Sequence, residues 1–187
     1  MIDGDAIIAD TTRWLERAVI GLNLCPFAKA VHVKGQIRYA VFLGSTPVEL
    51  IVELVRELQL LAAADPAVAD TTLLIHPHVL PDFRDYNDFL EVADAAIVEL
   101  GLENEIQIAS FHPQYQFAGT APDDVTNCTN RSPYPMLHLL REASVARAVA
   151  AFPEAGEIFE RNIETLNALG RAGWERLEVS ARSNSAD

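Results

Sequence analysis

The sequence predicts an α/β domain built on a small sheet of three to four mostly parallel strands, with helices packed against it. Three observations predict it. Short runs that suit a sheet alternate with longer runs of helical period through the middle of the chain, in the order strand, helix, strand, helix, strand. Half of the 187 residues are hydrophobic, enough for one sizeable core. The helices joining successive strands imply right-handed crossovers and therefore parallel strands. A ferredoxin-like α+β arrangement is the alternative, and it requires strands that hairpin directly. The reading is one domain over residues 1–182, with a frayed tail at 183–187.

The first helix is expected over Asp5 to Asn23, where Ile8, Trp14, Leu15, Ala18, Val19 and Leu22 fall near helical spacing, and Pro26 stops it. Ile37 to Leu43 reads as a buried strand. In the turn that follows, Ser45 or Thr46 can cap a helix, and Pro47 suits its first position. That helix carries Leu50, Ile51, Leu54, Val55, Leu58 and Leu61 inward, with Glu49, Glu53, Arg56 and Glu57 on its wet face. Thr71 to Ile75 is the second strand, Tyr86 to Leu100 the third helix, and Gly101 a C-terminal stop. Ile106 to Phe111 is the third strand. A helix is expected from Pro135 through Leu140 and Val149, and a last one from about Glu154 to Val179 with Phe159, Ile163, Leu166 and Leu177 inward. A short edge strand near Val31–Val33 or Gln116–Phe117 could complete the sheet.

Composition excludes some classes of function. A formal charge of −13 and a pI near 4.7 lack the basic footprint of general nucleic-acid binding. No apolar run reaches the roughly 18 residues of a membrane span. The opening residues carry Asp3, Asp5 and Asp10 rather than a basic n-region, so no signal peptide is expected and the location expected is cytoplasmic. Two cysteines, Cys25 and Cys128, make no disulfide framework. Acidic residues are missing from two intervals, between Glu16 and Glu49 and from Ile106 to Pro122. An acidic chain that keeps carboxylates out of such segments can reserve a pocket for an anion; buried strands lacking charge are the other explanation.

The segment from Ser110 to Arg141 crowds aromatics, prolines, a histidine, asparagines and an arginine into a stretch with little period. Long irregular loops with this much apolar mass are usually ordered and functional. In open α/β sheets ligands sit beyond the carboxyl ends of parallel strands. Those ends here read Gly44-Ser45-Thr46, His76-Pro77-His78 and Phe111-His112-Pro113. His76, His78, His112 and Tyr115 are therefore the catalytic candidates, through proton transfer near neutral pH. His76 and His78 at i, i+2, joined by His112, could instead hold a divalent transition metal such as zinc, although histidines beside proline also cap strand ends. The sequence names no cofactor.

Arg131 and Arg84 are the candidate anion binders, since a guanidinium fork reads carboxylate or phosphate at two points. A helix N-terminus expected near Pro135 would add to such a site. The alternative for Arg131 is a brace on loop carbonyls. Asn127 and Asn130 could orient a substrate or brace the loop. Cys25 and Cys128 are candidate reactive thiols, against the reading of buried, inert ones.

Four segments resemble the bacterial domain-of-unknown-function family 1415: LNLCPFAKA (22–30), LIHPHVLPDFRDYNDFL (74–90), IQIASFHPQYQF (106–117) and DVTNCTNRSPYPMLHLLRE (124–142). The resemblance covers nearly the whole chain and implies no reaction, cofactor or substrate. The functional expectation is a cytoplasmic enzyme acting on a small anionic molecule, with no nucleic-acid or membrane partner. A non-catalytic metal or metabolite binder and an acidic protein-interaction module are the alternatives.

Overall fold

The computed structural model describes residues 3–151 and 155–182. The expected start of the last helix at Glu154 and the expected tail at 183–187 lie outside those residues. The sheet has four strands: β1 (Ile37–Val41), β2 (Thr71–Ile75), β3 (Ile106–Phe111) and β4 (Met136–Arg141), in the order β1-β2-β4-β3. β1 and β2 pair in parallel, and β4 runs antiparallel to both β2 and β3. The mostly parallel sheet is thus corrected to one parallel and two antiparallel pairs. β1, β2 and β3 still share one direction, because β4 reverses twice between them. The ferredoxin-like alternative does not form either, since helices separate β1, β2 and β3.

β4 occupies the position expected for a helix starting at Pro135. The apolar run Met136–Leu140 fits either element by composition. Tertiary pairing decides it: Met136 and Leu137 alternate between the two faces, and β2 and β3 supply ladder partners on both sides. The helix α5 begins only at Glu142 and ends at Ala151. Neither proposed edge strand forms; Val31–Val33 belongs to a short helix, α2 (Ala28–Val33), and Gln116–Phe117 is irregular.

Helix α1 (Gly4–Trp14) is capped by the Asp3 carboxylate and continues as a π-helical stretch, Leu15–Ile20. α3 (Pro47–Ala63) starts with a full capping box in which Thr46 and Glu49 satisfy each other's backbone N–H groups. α4 (Phe83–Glu99) starts three residues earlier than its periodicity suggests, because Asp82 accepts from the N–H groups of Arg84 (2.8 Å) and Asp85 (3.4 Å). It ends in a Schellman turn at Gly101 (φ 69°), with Gly101 N–H donating to Val98 and Leu102 N–H to Ile97. α6 (Ile158–Glu175) is broken at Gly170, whose φ of 66° no helix accommodates.

The sheet is covered on both faces. Leu74, Leu137, Leu139 and Ile106 pack against Leu50, Leu54, Leu58 and Leu61 of α3 and Phe89, Ala93 and Ile97 of α4. Leu73, Ile75 and Met136 pack against Ile7, Trp14, Ala18 and Val19. Every residue of β2 is buried, as expected for a strand covered on both sides. From α6, Leu166 is buried as expected, whereas Phe159 is 57% exposed. Glu57, assigned by spacing to the wet face of α3, is fully buried. It receives two hydrogen bonds from Arg38 (2.7 and 3.0 Å) and one from Arg56 (2.7 Å), which supply partners for the buried side chain.

Candidate functional site

Because β1, β2 and β3 point the same way, their carboxyl ends share one edge of the sheet with the start of β4. Val41, Ile75, Met136 and Phe111 form the last paired row. His76 and His112 extend β2 and β3 beyond it, with Pro135 between them accepting from the His76 N–H at 3.0 Å. Tyr86 of α4 lies under this edge. Its hydroxyl donates to the Met136 carbonyl (2.8 Å) and accepts from the Phe111 N–H (3.1 Å), so one buried oxygen clamps both strand ends to the helix. Burial raises the Tyr86 pKa, which keeps the hydroxyl a donor.

The three histidines do not share one environment. His76 and His112 are fully buried and His78 is exposed. Both buried rings pack on Tyr86, His76 stacked at 5.9 Å and His112 tilted at 5.0 Å. A carbonyl only accepts, so the 2.9 Å contact to the Val79 oxygen requires a proton on His76 Nδ1. That leaves Nε2 of His76 as a buried acceptor with no hydrogen-bond partner among the described residues. His112 donates from Nε2 to the Leu80 carbonyl (3.1 Å) and accepts at Nδ1 from the Gln114 N–H (3.0 Å). Both nitrogens of His112 are thus committed to holding the loop. Burial holds His76 down to about 4 and also lowers His112, so both rings are neutral at physiological pH.

The zinc-type site expected of His76, His78 and His112 does not assemble. Among the described residues no group of three His, Cys, Asp or Glu side chains is placed to hold a metal ion. Tyr115 packs on Phe83 (5.0 Å) and Phe117 (5.0 Å), and Phe83 also contacts His112 (5.5 Å), so an aromatic layer lies over the two buried histidines.

The irregular loop is held by its own polar side chains. The Asn127 carbonyl oxygen accepts from the Phe117 N–H (2.9 Å) and the Thr120 hydroxyl (2.8 Å), and its amide donates to the Ala121 carbonyl (2.9 Å). Asn130 donates to the Ser110 carbonyl at 3.0 Å. Arg131 donates from Nε to Tyr115 (3.1 Å) and from Nη2 to Pro122 (2.6 Å), while its own carbonyl accepts from the Trp14 indole at 2.8 Å. Asn127, Asn130 and Arg131 are therefore loop braces first. The helix N-terminus expected beside Arg131 is absent, since β4 follows. At the far end of the loop, Tyr134 donates to Asp10, which also receives Arg13 and the Arg182 N–H.

What this bracing creates is an open cleft of about 900 Å³ between the start of α4 and the loop, outside the aromatic layer. Phe83, Arg84, Asp85, Gln114, Gln116 and Arg131 line it, with Asp82, Pro113 and Pro122. Among the described residues the Arg84 guanidinium makes no hydrogen bond or ion pair, and neither does the Asp85 carboxylate. The acid-free interval expected to favour an anion does contribute Gln114 and Gln116, but α4 adds Asp82 and Asp85 opposite them. Over residues 6–176 the chain matches the family described as protein of unknown function (DUF1415). The chain belongs to this family. All four strands, the braced loop and every cleft residue of this DUF1415 member fall inside the matched stretch. No curated protein and no solved structure matches it.

The two thiols sit apart from the cleft. Burial pushes Cys25 and Cys128 up from the ordinary thiol value, opposite to what a nucleophile needs. Cys128 borders a separate cavity of about 90 Å³ with Arg131, Arg171 and Trp174. Phe83, Asp85, Gln114 and Gln116 were not among the site residues expected from the sequence. Two signals were available for them: Asp82 as the cap of α4, which places Arg84 and Asp85 in a first turn, and the HPQYQ run after β3.

Proposed function

We propose that the protein binds a small molecule bearing a carboxylate- or phosphate-type group in the cleft between α4 and the braced loop, and that Arg84 receives that group. One observation carries this reading: among the described residues Arg84 is an unpaired guanidinium, on the first turn of a 17-residue helix, lining a concave surface with two glutamine side chains. A fixed fork of donors with no internal partner is suited to bidentate recognition of an oxyanion. Arg131 supports it by holding the Tyr115 and Pro122 carbonyls, which keeps the opposite wall in place. Two free thiols support a cytoplasmic location.

The unpaired Nε2 of His76 favours an enzyme as the second reading, with His76 as proton acceptor. It requires the Phe83–Tyr115 layer to open, since His76 is fully buried. No helix of the described residues is long and apolar enough to cross a membrane.

The test is a calorimetric titration of the full chain with mono- and dicarboxylates and inorganic and organic phosphates. Arg84→Ala is expected to weaken the tightest of them about tenfold or more, the effect of one charge-assisted contact. Arg84 is exposed, so the melting temperature should stay within a degree or two of wild type. Unchanged affinity in Arg84→Ala would remove the assignment.

A further inference from the structure

Resting on that reading, we propose that the ligand is a small zwitterion, an α-amino acid or a molecule ending like one, with its carboxylate on Arg84 and its ammonium on Asp85. The charges of the cleft are the starting point. Its lining holds two guanidiniums, Arg84 and Arg131, and two carboxylates, Asp82 and Asp85. Two of the four are already committed: Asp82 caps the N–H groups of Arg84 and Asp85, and Arg131 holds two loop carbonyls. Among the described residues, what remains is one free cation and one free anion, on consecutive residues.

Consecutive residues on a helix project about 100° apart and do not face each other. Arg84 and Asp85 therefore cannot neutralise one another, although both border the same cleft. A ligand with opposite charges on neighbouring atoms satisfies both at once. A simple anion satisfies only Arg84 and meets the Asp85 carboxylate as a like charge. A dianion fares worse, because the whole chain carries a formal charge of −13. A ligand with no net charge does not work against that field. Gln114, the ring of Phe83 and Gln116, whose amide also donates to the Thr120 carbonyl (2.6 Å), then line the space for the remainder of the molecule, a mixed surface for a side chain rather than for a phosphate.

The experiment titrates the full-length protein with the twenty standard amino acids, then takes the tightest binder in three forms: free, N-acetylated, and as the carboxamide. The free form should bind at least about tenfold tighter than either derivative, one charge-assisted contact being lost in each. Asp85→Asn should erase the difference between the free and acetylated forms while leaving the penalty for the carboxamide, and Arg84→Ala should do the reverse. Asp85 is exposed, so a melting curve matching wild type confirms that the variant is folded. Equal affinity for the free and acetylated forms, with loss only in Arg84→Ala, overturns the zwitterion and leaves the anion site standing. No binding of any form, charged or capped, overturns both.

Discussion

Acidification from neutral pH to about 4 is expected to remove about 6 kcal/mol of folding stability, most of what a domain of this size possesses. Two histidines are responsible, His76 fully buried and His138 half-buried. Burial lowers both His76 and His138 from 6.5 to about 4. The unfolded chain binds protons at both below 6.5, and the folded chain does not until about 4. Stability contributed by these groups is therefore complete above pH 6.5 and is lost as the pH falls from there to 4, at about 3 kcal/mol each. The paired carboxylates Asp10 and Asp124 do not share this window. Burial raises Asp10, but its hydrogen bonds from Arg182, Arg13 and Tyr134 outweigh that. Thr126 lowers Asp124. Both fall below their ordinary value of 3.8, so their contribution is lost only in stronger acid.

His138 allows a clean check. The Thr71 hydroxyl donates to the Leu139 carbonyl (2.7 Å), so the 2.6 Å contact to Thr71 must be donated by His138 Nε2. His138→Gln can keep a donor there without titrating. Urea unfolding at pH 7 and pH 4.5 should show the wild type losing stability steeply and His138→Gln losing about half as much. A flat profile between those pH values in the wild type would show that the fold does not hold the two rings neutral.

Replacing Asn127 by alanine is expected to cost about 3 kcal/mol and to abolish ligand binding. The residue is fully buried, and its side chain pairs the Phe117 N–H, the Thr120 hydroxyl and the Ala121 carbonyl. Alanine removes three hydrogen bonds at about 1 kcal/mol each and leaves the Phe117 N–H unpaired, while the Thr120 hydroxyl keeps the Phe117 carbonyl and the Ala121 carbonyl keeps the Asp124 N–H. Asn130→Ala removes a single bond to the Ser110 carbonyl and should cost about 1 kcal/mol. The two variants separate a general loop defect from a specific one, because Asn127 bonds to the Phe117–Ala121 segment behind Gln116 and Asn130 bonds instead to β3. Denaturant midpoints measure the first effect and calorimetry the second. Equal costs for the two variants would contradict the loop architecture described above.

The parts of the fold that were legible in the sequence are those in which local chemistry and tertiary packing agree. Thr46, Pro47 and Glu49 spell out a helix start that the structure completes as a capping box. Thr71–Ile75 and Ile106–Phe111 read as strands from composition and are strands with those bounds. β4 was not legible because Pro135 is as good a signal for a helix start as for the entry to a strand, and only the ladders from β2 and β3 decide between them. Glu57 was misplaced for a related reason: helical period assigns a face by residue type, and a carboxylate paired with Arg38 and Arg56 can occupy the buried one.

The site was legible as an edge rather than as a set of residues. The shared direction of β1, β2 and β3 does place His76 and His112 together beyond the sheet. Their burial came from Tyr86 and Phe83, which the sequence offers only as helix residues. Arg131 looked like a ligand-binding cation, but the carbonyls of Tyr115 and Pro122 claim it. Arg84, the weaker candidate by context, is the one left free.

The proposed binding surface joins the first turn of α4 to the loop after β3. Two-dimensional amide NMR of the uniformly labelled protein, titrated with the tightest-binding amino acid or carboxylate, tests it most directly. Shifts concentrated at Arg84, Asp85, Gln114 and Gln116, and lost in Arg84→Ala, are the expected result. Shifts centred instead on Cys128, Arg171 and Trp174, with the α4 turn unmoved, would contradict it.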